Sequence, residues 1–110
     1  MRVYLPLTLA TLRGADEAGE VPEHCERFTA EDESEEAEYA ALMTAADASA
    51  EQLDGAGRRV VLVADVVEPA GAIPKKRWAA VHVDTDADAD PDDDLAWYGI
   101  QEIPELIAGD

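Results

Sequence analysis

Two stretches of the chain place apolar residues at successive positions, as buried strands do. In RRVVLVADVV, residues 58–67, the two faces carry Val60, Leu62, Ala64 and Val66 on one side and Val61, Val63 and Val67 on the other. Because both faces are apolar, this stretch predicts a central strand. WAAVHVD, residues 78–84, predicts a second strand. The connector between them is too short for a substantial crossover helix, so we expect the two strands to be antiparallel.

The first twenty residues predict a strand and then a short helix. Residues 1–5 alternate in the manner of a strand, and Pro6 is expected to end it. Thr8 suits the N-cap of the following helix, and Gly19 suits its C-cap. Residues 20–29 then predict a short edge strand.

A longer helix is predicted in the middle of the chain. Thr29 followed by Asp32 fits a helix start, and the carboxylates that follow lie where the helix dipole favours negative charge. One apolar stripe recurs at three and four residues and consists of Tyr39, Leu42, Met43, Ala46, Ala50 and Leu53. Gly55 and Gly57 are expected to mark the end of this helix.

The segment DTDADADPDDD, residues 84–94, separates the last predicted strand from the C-terminal region. Asp90 suits an N-cap and Pro91 a first helical position, so the second half predicts a helix start and the first half a solvated loop. The alternative is that LAWYGIQEI, residues 95–103, pairs as a strand, with Pro104 opening a final turn. Together these elements predict one α/β domain over residues 1–110, with α+β as the alternative. We expect two layers, with a mixed sheet of three or four strands and about three helices.

Composition narrows the functional classes. The chain has 110 residues, eight Lys and Arg, 26 Asp and Glu and a formal net charge of −18. Such a charge disfavours direct binding to nucleic acid or to anionic membranes, so we expect a protein partner with a basic surface. The single cysteine, Cys25, and the lack of a long apolar segment favour a cytoplasmic protein. Alternatively, the acidity reflects a compositional bias and only keeps the protein soluble.

The aspartates of residues 84–94 match a calcium-binding loop only in part. A frame that begins at Asp84 places carboxylates at Asp84, Asp86, Asp88 and Asp90, but it puts Ala89 where the loop needs glycine and Leu95 where it needs a bidentate glutamate. This pattern favours weak counterion binding over a specific metal site. His24, Cys25 and His82 do not match a structural zinc spacing, and no cofactor is expected.

Five segments in this order resemble those of an uncharacterised family of small acidic actinobacterial proteins, a domain of unknown function. They are MRVYLP, EYAAL, RRVVLVADV, AAVHVD and WYGIQEIPEL. The resemblance implies connections around residues 14–24 and 68–77 that are shorter than in most members. It implies no activity, no cofactor and no catalytic residue.

No assembled catalytic motif is present, so the leading hypothesis is a noncatalytic protein-interaction domain with an acidic surface. Its candidate interaction residues are the acidic Glu31, Glu35 and Glu38 and the aromatic Trp97 and Tyr98. Large aromatic residues are common interface anchors. The same acidity suggests a nucleic-acid mimic that inhibits a DNA-binding protein.

A third hypothesis is a ligand-binding domain or small enzyme that uses Asp65 and His82 in a cleft. Asp65 lies near the end of the central strand, where open sheets often bind ligands. Asp84 would leave an antiparallel neighbour at the opposite end, so Asp65 and Asp84 are not expected to form a paired-carboxylate site.

Overall fold

The computed structural model describes residues 1–53 and 55–108. The strands are β1 (Arg2–Leu7), β2 (Glu20–Val21), β3 (Phe28–Thr29), β4 (Val60–Asp65), β5 (Ile73–Pro74), β6 (Trp78–Val83) and β7 (Ala96–Tyr98). The α-helices are α1 (Leu9–Ala18), α2 (Glu35–Gln52) and α3 (Ile103–Ala108), and short 3-10 helices span Lys75–Arg77 and Ile100–Glu102. None of the helices in these described residues has the length and apolar character that a membrane span requires.

The main sheet has the strand order β3-β1-β4-β6-β7, and a separate ribbon pairs β2 with β5. As predicted, β4 is central and pairs antiparallel with β6, with Val61 opposite His82. Within the described part of the chain, five strands form this sheet where three or four were expected. Every neighbouring pair is antiparallel, where a mixed sheet was expected. The additional strand is β7, because residues 96–98 pair with β6. Of the two short strands within residues 20–29, only β3 joins this sheet, at its edge beside β1.

Helices lie against both faces of the main sheet, because both faces of β4 are apolar and must be covered. On one face, α1 and α3 pack against a cluster that includes Leu5, Leu62 and Val81. On the other face, α2 packs against Tyr4, Val61 and Val63. The described residues therefore form an α/β domain, as predicted, but with three layers instead of the expected two.

The first strand and helix largely follow the local sequence. Thr8 caps α1 through a hydrogen bond from the Thr11 amide, and Gly19 ends it with a left-handed φ of 81°. Both caps were predicted. However, β1 continues through Pro6 to Leu7, whereas Pro6 was expected to end it. On one side β1 pairs with β3 only at Val3 and Tyr4, so Pro6 faces no strand partner there and its missing N–H breaks no pairing.

Helix α2 begins later than predicted, and its buried face matches the predicted stripe only in part. Ser34 is its N-cap, and not Thr29, because the Ser34 side chain accepts a hydrogen bond from the Ala37 amide. The buried positions are Ala41, Ala45, Ala46 and Ser49, whereas Tyr39 and Ala50 of the predicted stripe are exposed. These small side chains let the helix approach the sheet closely. Of the predicted stripe, Ala46 is buried, and Leu42 and Met43 are half-buried against the same cluster. The prediction was therefore right for these three residues and wrong for Tyr39 and Ala50.

The C-terminal region follows the alternative prediction. Residues 96–98 form β7, which pairs with β6, and α3 follows with Pro104 in its first turn. The predicted helix start at Asp90 is wrong. Asp90 instead accepts a hydrogen bond from the Asp92 amide through its own side chain, which is a local turn. Pairing with the exposed edge of β6 outweighs the helix-start signal, because it satisfies a whole row of backbone groups.

Candidate functional site

The aspartate-rich loop between β6 and β7 is organised by a buried arginine. Asp84, expected to begin a solvated loop, is instead only 2% exposed. Its carboxylate accepts hydrogen bonds of 2.8 Å from Nε and Nη2 of Arg59 and a third from the Arg59 amide. Two parallel bonds of this kind are the strongest geometry for an arginine–carboxylate pair. The hydrogen bond to Asp84 raises the pKa of Arg59.

The remaining donors of Arg59 hold the loop itself. They reach the backbone carbonyls of Pro91 at 3.0 Å, Asp90 at 3.2 Å and Asp93 at 2.9 Å. Arg58 adds a bond of 2.7 Å to the Asp84 carbonyl. One guanidinium group therefore lies where the carboxylate and the carbonyls of this loop converge.

This arrangement bears on the metal candidates. Asp84 is engaged by Arg59, while Asp86 and Asp90 accept hydrogen bonds of 2.9 Å from amides two residues later in the loop. Asp88 is exposed. In residues 1–53 and 55–108, no three His, Cys, Asp or Glu side chains converge in a way that would hold a metal ion.

An open cleft lies on the α2 side of the sheet. Helix α2 packs over β1, β3 and β4, and a cleft of about 370 Å³ lies between its first half and strands β6 and β7. Tyr4, Val63 and Ala80 line its sheet side. Trp97 pairs with His82 in the strand register, so their side chains share this face. We call this feature the β7 cleft.

Polar and aromatic groups surround the β7 cleft. From α2, Glu38 lies 3.6 Å from Arg2, and the Tyr39 hydroxyl donates a hydrogen bond of 2.6 Å to Asp94. Donation to this carboxylate raises the pKa of Tyr39. Burial lowers the pKa of His82, so its ring is neutral at physiological pH. The cleft thus combines aromatic surface, a neutral imidazole and a rim of carboxylates.

The two candidate ligand residues lie apart. His82 lies opposite Val61 and lines the β7 cleft, whereas Asp65 lies opposite Arg2 at the other end of β4. Asp65 lines a second hollow of about 500 Å³. Arg2 lies between the two hollows and bonds Asp65 at 3.3 Å. Asp65 and His82 therefore do not form one site. As expected, Asp84 lies at the opposite end of the sheet from Asp65.

The candidate interaction residues divide between surfaces. Trp97 is 63% exposed in the β7 cleft, whereas Tyr98 points to the other face and packs against the core beside α1 and α3. Glu35 is exposed in the first turn of α2, and Glu38 contacts Arg2. Glu31 precedes the helix. The three glutamates therefore do not form one row along α2.

Sequence reasoning missed three residues that shape this region. Arg59 holds the acidic loop. Arg27 donates hydrogen bonds to five backbone carbonyls, three between β2 and β3 and two between β4 and β5. Ser49 is buried and bridges β1 to β4. The sequence could have indicated the role of Arg59. An arginine directly before a buried strand can itself be buried, and its charge then needs partners within the protein.

The fold and the cleft define a small three-layer α/β domain in which α2 packs over β1, β3 and β4 and the β7 cleft lies beside it. The chain belongs to a family of unknown function, DUF6912, which matches residues 1–92. This confirms the predicted resemblance to a domain of unknown function. The match includes His82 and the strands up to β6 and ends before β7. Comparison with curated proteins and with solved structures found no match.

Proposed function

We propose that this protein is a noncatalytic interaction domain that binds a partner with a basic surface at the β7 cleft. The observation that carries the proposal is the exposure of Trp97, 63%, beside Tyr39 and His82. Tryptophan is enriched among the residues that dominate binding energy at interfaces. A large aromatic side chain left exposed beside a cleft is well placed to be such an anchor.

The charge distribution supports a basic partner. Among the described residues, six of the eight cationic side chains are already engaged within the chain, namely Arg2, Arg13, Arg27, Arg58, Arg59 and Lys75. In the same residues only Asp16, Glu38, Asp65 and Asp84 form salt bridges. Most surface carboxylates thus remain available to attract a basic protein and to accelerate its association.

The noncatalytic character rests on how the polar groups pair. Arg2 is engaged by Glu38 and Asp65, and Tyr39 is engaged by Asp94. His82 is the one titratable group of the cleft without a charged partner within the described residues. A general base ordinarily has a second group that orients it. A cytoplasmic location and an actinobacterial origin are part of the same proposal and rest on composition and on the resemblance.

A pull-down from lysate of the source organism tests this function. Tagged wild-type protein is compared with Trp97→Thr, which keeps a strand-forming residue, and with Val67→Thr, which alters another exposed apolar side chain away from the cleft. Beads are washed at low salt and then at about 0.5 M salt, where exposed charge attraction is largely screened. A stoichiometric protein retained by wild type and Val67→Thr but lost from Trp97→Thr supports the proposal. Recovery of basic proteins that all wash away, equally from every variant, contradicts it.

A second candidate is a small-ligand domain that uses His82. It is favoured by the volume of the β7 cleft, about 370 Å³, which falls within the usual range for ligand pockets. A thermal-shift screen tests it, since a ligand of this site stabilises wild type and not His82→Ala. The nucleic-acid mimic remains a proposal that acidity alone supports, and competition by DNA for a captured partner tests it.

A further inference from the structure

We propose that the partner binds by strand addition, in which an extended basic segment pairs with the outer edge of β7 and places one apolar side chain in the β7 cleft. This inference rests on the proposed function and specifies the recognition mode of the same site. Edge strands present unpaired N–H and C=O groups that can pair with another chain.

The outer edge of β7 supplies the backbone groups. β7 is the last strand of the main sheet and pairs on one side with β6. Backbone groups of successive residues alternate in direction, and the register with β6 directs those of Ala96 and Tyr98 towards β6 and those of Trp97 outward. Across residues 1–53 and 55–108, no other segment forms a hydrogen bond to the Trp97 N–H or C=O. An incoming strand would thus extend the sheet to six strands.

The β7 cleft supplies side-chain specificity. A strand added beside β7 presents alternate side chains to the α2 face, next to Trp97. One of them would meet Trp97, with His82 and Tyr39 lining the same cleft. Arg2 is already neutralised by Glu38 and Asp65, and His82 is uncharged, so the interior of the cleft favours an apolar side chain over a charged one.

The carboxylates at both ends of β7 select a basic segment. Asp92 and Asp94 precede the strand beside the Tyr39 hydroxyl, and Glu102 follows it, with its carboxylate 2.7 Å from the Gly99 amide. A second copy of this chain is disfavoured as the occupant. Its formal charge of −18 would meet an equal charge, and antiparallel pairing of two β7 strands would bring the acidic ends together.

The probe is the peptide acetyl-Lys-Val-Lys-Leu-Lys-Val-Lys-amide, and its control is the same peptide N-methylated at its three central residues. N-methylation removes the N–H donors from both edges of the peptide while keeping every charge and side chain. Each peptide is titrated into uniformly ¹⁵N-labelled protein, and amide shifts are followed by NMR. We expect saturable shifts concentrated at residues 96–98 and His82, with a Kd at least tenfold weaker for the N-methylated peptide.

The protein variants separate this mode from simple charge attraction. Trp97→Thr should weaken peptide binding at least tenfold, whereas Val67→Thr should leave it unchanged. Equal binding of the two peptides, shifts spread over the acidic surface, or no saturable binding each overturns strand addition. So does concentration-dependent self-association of the free protein with shifts at β7. If a lysate partner is still lost with Trp97→Thr after such a result, the interaction function stands and only the binding mode fails. If no such partner is found but the peptide results are as expected, β7 binds basic strands as inferred and the proposed interaction function fails.

Discussion

Loss of Asp84 should destabilise this protein much more than loss of an exposed partner in an ion pair. The Arg59 and Asp84 side chains are 5% and 2% exposed. Asp84→Asn keeps the shape of the residue but leaves a buried guanidinium with only neutral acceptors, and breaking a buried pair in this way costs about 3–5 kcal/mol. The control is Asp65→Asn, which breaks the Arg2 pair. Those side chains are 45% and 57% exposed, and such pairs contribute about 0.2–1 kcal/mol.

Urea unfolding, followed by far-UV circular dichroism, measures the free energy of unfolding of Asp84→Asn and of Asp65→Asn relative to wild type. A domain of this size has about 5–15 kcal/mol of stability, so Asp65→Asn should remain folded without urea, and Asp84→Asn should do so where the wild type has more than about 6 kcal/mol. With a slope of about 1–3 kcal/mol per M, Asp84→Asn should lower the urea midpoint by roughly 2 M, and Asp65→Asn by less than about 0.5 M. The double substitution Arg59→Met with Asp84→Leu should recover much of the loss, because it removes both buried charges.

A protease assay reports on the loop itself. An endopeptidase that cleaves before aspartate should cut residues 85–94 faster in Asp84→Asn than in wild type, because Arg59 loses its anchor and holds the loop carbonyls less well. A destabilisation of Asp84→Asn no larger than that of Asp65→Asn, together with unchanged cleavage of the loop, would refute the reasoning.

Three further results are expected. The Ser49 hydroxyl donates a hydrogen bond of 2.6 Å to the Leu7 carbonyl and accepts one of 2.9 Å from the Val60 amide. Ser49→Ala should therefore lower the free energy of unfolding in urea by about 1–3 kcal/mol. A loss near zero would contradict the bridge. Burial lowers the pKa of His82 below its ordinary value of 6.5, so its share of the stability is present above that pH and is lost as the pH falls through the folded-state pKa. Urea midpoints between pH 7.5 and 5 should therefore decline less steeply for His82→Gln than for wild type, and parallel profiles would exclude this effect. Calorimetric titration with Ca²⁺ should show no stoichiometric binding, because Arg59 already engages Asp84, and a one-to-one isotherm would overturn that view.

Local signals predicted the parts of the fold in which one segment decides its own structure. The apolar residues on both faces of residues 60–65 required a buried strand whatever surrounded it. Thr8 and Gly19 act on backbone groups within a few residues, and both caps formed as predicted. The short connector before β6 left antiparallel pairing as the expected arrangement, and that pairing is present.

The candidate site was only partly accessible to such reasoning. His82 and Trp97 were singled out separately, one as a ligand residue and one as an interface anchor. Their apposition depends on β7 pairing with β6 in a register that sets them opposite each other. The helix-start pattern at Asp90 was locally sound, but the edge of β6 offered a competing partner that no local pattern describes.

The sequence by itself determined that this is an acidic α/β domain with a buried central strand, because hydrophobic burial and helix capping act through neighbouring residues. Only the tertiary structure decided the role of Asp84. A carboxylate in a run of aspartates looks solvated, but here it meets Arg59, which lies 25 positions earlier in the chain. Electrostatic pairing depends on distance in space, and the fold alone sets that distance.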